Sequence, residues 1–154
     1  MRHYRLTNQE RAGLGFTDQF VIDGKDLTAV ATTATINLAT VTSAFIDDVV
    51  VVRLDEKVAG PAGTVKIEVG NDGDDNYHVS LSADLVAGAV GLLHGPATTT
   101  SGTTNRFGTI KSSSTILQAK FTSSSGNFSA TTNTGQVSIF MRIVQSSDLG
   151  YDQS

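Results

Sequence analysis

Apolar and polar residues alternate with a period of two along much of this chain. The stretch "VKIEV" shows it most cleanly: Val65, Ile67 and Val69 share one face, and Lys66 and Glu68 share the other. "YHVSL" continues the pattern with Tyr77, Val79 and Leu81, "TILQAKF" groups Leu117, Ala119 and Phe121, and "QVSIFMRIV" groups Val137, Ile139, Met141 and Ile143. Successive side chains of a strand point to opposite faces, so each run predicts a strand with one buried face. In "TATINLATV", Ile36 and Leu38 share a face. "IDDVVVVRL" is apolar on both faces up to Arg53, with Val50, Val52 and Leu54 opposed to Val49 and Val51, which predicts a strand covered on both sides.

Turn-forming residues separate these runs: "DGKD" at 23–26, "GPAG" at 60–63, "GNDGDDN" at 70–76 and "SSSGN" at 123–127. Glycine there supplies unusual backbone angles, and Asn, Asp and Ser satisfy local backbone groups. The one helical candidate is "SADLVAGAV", with Ser82 as cap and Asp84 in the first turn, and its glycines and valines weaken it. Seven or eight antiparallel strands with Gly-rich turns predict an all-β fold, either a sandwich or a closed barrel. Residues 1–15 read as an extended N-terminal arm, 16–147 as the sandwich domain and 148–154 as a C-terminal tail. The polar span 94–108 reads as a long exposed loop. Ser and Thr fill about half of residues 98–134, yet "STILQAKF" alternates within them, so strands with hydroxyl-lined outer faces are expected rather than disorder.

A length of 154 residues fits one domain with a self-sufficient core. With no cysteine, disulfides, thiolate metal sites and cysteine nucleophiles are excluded. The first residues lack the apolar core of a secretory signal, and no apolar run is long enough for a membrane helix, so no membrane association is expected. The net charge of −4 is unevenly spread: residues 85–147 carry Arg106, Lys111, Lys120 and Arg142 and no acid, whereas residues 1–84 are acidic overall. Such asymmetry suits self-association. Four dispersed cations make a poor nucleic-acid footprint, so no nucleic-acid partner is expected.

Candidate chemistry is sparse. Asp72, Asp74 and Asp75, flanked by Asn71 and Asn76, offer the hard oxygen ligands that calcium prefers and are the metal candidates. Their spacing departs from an EF-hand loop, and a hydrated hairpin turn explains them as well, so no metal or other cofactor is expected. Asp47–Asp48 and Asp55–Glu56 are adjacent pairs, which a regular strand sends to opposite faces, unlike the facing carboxyls of a glycosidase. His3, His78 and His94 are far apart in sequence, and no nucleophile elbow, GxGxxG or P-loop occurs. The chain is therefore read as a non-enzyme.

The order of "VVVVRL", "GPAGTVKIEVGNDGDDNYHVSL", a Gly-rich polar span and "STILQAKFTSSSGNFSATTNTGQVSIFMRIV" resembles the small all-β structural proteins of tailed bacteriophages. The likeness runs over about residues 34–145 and is carried by the "VGND" turn at Val69–Asp72 and the "TGQV" turn at Thr134–Val137. It is a likeness of strand order and turn composition. It implies a single jelly-roll-like β-sandwich that is a capsid decoration, or cement, protein: made in the host cytoplasm, bound to the major capsid protein on the outer surface of the phage head, and assembled as a homo-oligomer, with a trimer favoured. Arg2, Tyr4, Arg5, Leu6 and Arg11 of the arm would then be the capsid-binding residues. Two alternatives stay open: a tail, neck or fibre-associated structural protein, and a carbohydrate-binding β-sandwich module using Tyr77, Phe107 and Phe128.

Overall fold

The computed structural model describes residues 1–7, 9, 15–42, 44–46, 50–60, 63–79, 84–94, 109–111, 114–130 and 132–145. The described chain is all-β, with two short 3-10 turns at Gly24–Asp26 and Phe128–Ala130. Its strands are β1 (Arg2–Arg5), β2 (Asp18–Asp23), β3 (Thr33–Val41), β4 (Ala44–Ile46), β5 (Val51–Ala59) and β6 (Val65–Asn71), then β7 (Asp74–Val79), β8 (Gly91–His94), β9 (Thr109–Lys111), β10 (Thr115–Ser123), β11 (Thr134–Met141) and β12 (Ile143–Gln145).

Eight of these build two antiparallel sheets, ordered β2-β11-β5-β8 and β3-β10-β6-β7. The pairings are nested: β6 with β7, β5 with β8, β3 with β10, and β2 with β11. A long hairpin folded over on itself gives this order, which is the jelly-roll arrangement expected from the sequence. β1 extends the first sheet beyond β2, and β12, β4 and β9 form a small third sheet.

The two main sheets share one apolar core, to which Phe20, Val52, Leu54, Val137 and Ile139 contribute from one side and Val65, Ile67, Val69, Leu117 and Phe121 from the other. The alternation holds where it is clearest. In β10, Thr115, Leu117, Ala119, Phe121 and Ser123 are buried, while Gln118 and Lys120 face out, towards Asn37 and Glu68 respectively. At about 25 cal/mol per Å² of buried apolar surface, this layer is the main source of stability.

Departures from strict alternation have local causes. "IDDVVVVRL" is not one strand. Ala44–Ile46 belongs to the small sheet, and β5 runs on to Ala59. Two bulges keep β5 in register with β11, where Val137 faces Leu54, Gln136 faces Glu56 and Thr134 faces Ala59. Alternation already puts the Asp55 carboxylate on the outer face, where it accepts a hydrogen bond from Ser138, and the first bulge keeps Glu56 there too, opposite Gln136, so these adjacent carboxylates are not sent to opposite faces as a regular strand would send them. Opposite the second bulge stands Gly135, at φ +100°, where a Cβ would overlap the Lys57 carbonyl.

The helix considered at 82–90 is absent over its described part, 84–90. Among the described residues, Asp84 heads a turn, accepting hydrogen bonds from the N–H groups of Val86 (3.0 Å) and Ala87 (3.3 Å) and from Val65 N–H (3.0 Å). This turn seats Leu85, fully buried, against the ends of β5 and β6. A second tie closes the same region: buried Asn133 donates to the carbonyls of Leu27 (2.5 Å) and Phe128 (2.6 Å), joining the two 3-10 turns.

Two outcomes test these ties. Gly135→Ala forces a side chain into a left-handed backbone against a carbonyl, and should lower unfolding free energy by about 2 kcal/mol or more in urea denaturation. Partial burial pushes the Asp84 carboxyl up, but the three backbone N–H donors outweigh it and hold the pKa below its ordinary 3.8. A lowered folded-state pKa stabilises the fold above the unfolded value, and that share is lost as pH falls through the folded value. The deficit of Asp84→Ala relative to the parent, about 1 kcal/mol at pH 7 for a lost cap, should therefore shrink as pH falls below about 4.

Candidate functional site

The N-terminal edge of the five-stranded sheet concentrates the chain's exposed chemistry. β1 pairs antiparallel with β2, setting Arg2 opposite Val21, His3 opposite Phe20, Tyr4 opposite Gln19 and Arg5 opposite Asp18. All four β1 side chains are exposed. The strand forms because β2 is a buried strand with a free edge, and because basic residues meet acidic ones there. The Arg2 guanidinium lies 2.9 Å from Asp23 Oδ1, His3 Nε2 lies 2.8 Å from Asp18 Oδ1, and Arg5 reaches within 4.0 Å of the same oxygen.

Asp18 is the unusual member, a carboxylate 1% exposed at the rim of the core. Thr17 donates its hydroxyl to Asp18 Oδ2, and the His3 ring stacks on Phe20 with centroids 4.4 Å apart. A buried carboxylate is tolerated only when hydrogen-bonded and paired. Asp23 is held differently: the Gln136 side-chain amide donates to it at 2.8 Å, and this, with Arg2 nearby, outweighs partial burial and keeps the carboxyl below its ordinary range.

The outer face of the same sheet carries two rows of side chains. Tyr4, Gln19, Phe140 and Val51 form one row across four strands, and Arg2, Val21, Ser138 and Arg53 form the next. Phe16 packs near Phe140 at 5.9 Å, and the Arg53 guanidinium sits 5.2 Å over the Phe140 ring while pairing with Asp55 at 2.5 Å. Tyr4 is 45% exposed.

The residues anticipated for partner binding divide accordingly. Arg2 and Tyr4 are on the outer face, and Arg5 lies on the core side of the edge beside Asp18. Leu6 is 7% exposed and is a packing residue rather than a free anchor while β1 stays docked. Arg11 lies outside the described residues. Residues 2–5 are an edge strand of the sheet rather than a detached arm. Phe128 is fully buried in the core and is not a sugar-stacking residue. Phe107 and the Tyr77 side chain lie outside the described part.

At the acidic hairpin, β6 and β7 are joined by Asp72–Gly73. The Asn71 side chain accepts Gly73 N–H (2.9 Å), and Asp72 N–H donates to the Ile116 carbonyl (3.0 Å), tying the turn to β10. Asp74 and Asp75 open β7, with side chains outside the described part. Among the described residues no group of three His, Cys, Asp or Glu side chains is placed to hold a metal ion, and no helix is long and apolar enough to cross a membrane. A hollow of about 250 Å³ lies between the two 3-10 turns, lined by Lys25, Leu27, Thr28, Phe128, Ser129, Thr132 and Asn133. It is smaller than the roughly 300 Å³ at which small-molecule pockets begin.

Sequence reasoning missed β2 and the outer-face aromatics. Asp18, Gln19 and Asp23 break the apolar run of "FTDQFVID", so its alternation is hidden. Phe16 and Phe140 are single aromatics far apart in sequence that the β2–β11 pairing brings together. No protein-family model matches the chain, and no curated protein or solved structure matches it.

Exposed ion pairs are worth about 0.2–1 kcal/mol each and are screened at high salt. Raising sodium chloride from 50 mM to 1 M should speed amide exchange across residues 2–5 by about two- to ten-fold and leave β11 unchanged, as read by hydrogen-exchange NMR. Uniform acceleration across the sheet, or none at β1, would contradict an electrostatic hold.

Proposed function

We propose that the protein is a virion structural protein, a decoration or cement protein that binds the outer surface of a phage head through its major capsid protein. The observation that carries this reading is the exposed basic strand β1, which presents Arg2, Tyr4 and Arg5 along the open edge of a jelly-roll sheet. A stiff sandwich with a charged strand at the end of one sheet is suited to adhesion: backbone groups support pairing, and basic side chains favour an acidic partner surface. Jelly rolls are used by viral coat proteins, though also by lectins and cupins, so the fold supports the reading without specifying it. The two turns that carry the phage likeness are both structural, one closing the β6–β7 hairpin and the other opening β11 at Gly135. A homotrimer engaging several lattice sites would gain by effective concentration.

Reconstruction of the native particle by electron microscopy tests this directly. The expected result is density on the head surface at a copy number set by the capsid lattice, with β1 at the contact. Density confined to the tail, neck or fibres would move the protein there and end the decoration reading.

A second reading has its own observation. The Tyr4–Gln19–Phe140–Val51 row, with Phe16 and Arg53 beside it, is a flat surface of aromatic and polar groups of the kind that stacks sugars. If it binds glycans, the isolated protein should be retained on immobilised polysaccharide, and Tyr4→Ala should weaken retention by about ten-fold without lowering the melting temperature.

A further inference from the structure

The first strand is held unlike β2, β11 and β5 of its sheet. β2 places Phe20 and Ile22 in the core, β11 places Val137 and Ile139 there, and β5 places Val52 and Leu54 there, whereas β1 places none of its four residues there. Its attachments include a four-residue ladder, polar contacts of Arg2, His3 and Arg5 to Asp23 and Asp18, the His3–Phe20 stack and, just before it, the Met1 amine 2.6 Å from Asp26. Leu6 follows as an apolar anchor, with its N–H on the Thr17 carbonyl (2.9 Å). β1 is thus bound to its own sheet much as a peptide ligand is bound to a sheet edge.

The surface beneath it cannot stay bare without cost. β2 is buried along most of its length, and losing β1 would expose a row of backbone groups, the Phe20 ring face and the Asp18 carboxylate. A vacated edge must therefore be refilled. Its chemistry, the Asp18 carboxylate and the Phe20 ring on the core side and the Asp23 carboxylate on the outer side just past the ladder, selects a strand with basic side chains at matching positions. Arg2, His3 and Arg5 supply that spacing, and every copy of the chain carries them. Between Leu6 and Thr17 lie ten residues, which extended span up to about 33 Å, enough to reach a neighbouring sheet.

We infer that the β2 edge is a docking surface for β1 of a second copy of this chain, and that the protein assembles by exchanging this strand between subunits. The exchange conserves every contact described within one subunit, so its cost is small and concentration decides it. It stands apart from the virion reading and would hold for a protein of any role.

The chain has no cysteine, so introduced thiols report the pairing without background. Tyr4 and Gln19 face each other across the ladder, within the range a disulfide spans. Tyr4→Cys and Gln19→Cys proteins are prepared separately, mixed in equal amounts while unfolded, refolded together and oxidised. Exchange predicts that about half of the chains run as a covalent dimer on a non-reducing gel, the statistical yield of mixed pairs. Monomer alone overturns the proposal. The double variant Tyr4→Cys/Gln19→Cys, oxidised as expressed across a concentration series, covers the case in which refolding fails. Covalent oligomers support exchange, and a wholly intramolecular disulfide at every concentration refutes it.

Discussion

Each strand of the two main sheets must deliver alternate side chains into one apolar layer, while its neighbours fix where along the strand it sits. Sheets pack about 10 Å apart, so the layer has room for one tier of side chains from each face and little else. Most other features answer to this constraint. The bulges of β5 let a strand with "LDEKV" in its middle keep Val52, Leu54 and Val58 inside while Asp55 and Glu56 stay out. The shift between Leu117 and Gln118 does the same for β3, which buries Ala34 and Leu38 on one phase and Val41 on the other.

The ends of the layer are closed by polar ties instead of further strands. Asn133 satisfies two carbonyls where the 3-10 turns meet, and Asp84 gathers three N–H groups where β6 begins. Each replaces water that the packed core would exclude. At the opposite rim Asp18 plays a comparable part for the first sheet, but its basic partners come from β1, with Thr17 adding a hydroxyl. The charge asymmetry of the sequence is used partly within the subunit, since Lys120 of the basic half lies 3.8 Å from Glu68 of the acidic half.

The fold was legible where one face is purely apolar. β6, β10 and β11 announce themselves because nothing interrupts Val65–Ile67–Val69, Leu117–Ala119–Phe121 or Val137–Ile139–Met141. β2 was hidden because its inward position 18 is an aspartate, and a buried carboxylate is recognisable only once its partners are known. The edge residues Arg2, Tyr4 and Arg5 could be singled out as polar contact residues, two of them basic. Their pairing with Asp18 and Asp23 could not, because it is a contact across sequence that depends on strand register. The aromatic row was illegible for the same reason. Phe16 and Phe140 look alike in sequence to buried Phe128, and topology alone decides which rings reach solvent.

The nested strand order has a bearing on how the molecule is made. β11 lies between β2 and β5, and those two strands do not pair with each other. A ribosome that has released β2, β5 and β8 has therefore produced the flanks of a sheet whose middle is still unsynthesised. Contacts of such wide sequence separation form late and slowly. The first sheet closes only when Thr134–Met141 emerges, so its folding waits on a strand made long after its neighbours. Until then the exposed flanks of β2 and β5 depend on dilution or chaperones to stay apart from other nascent chains.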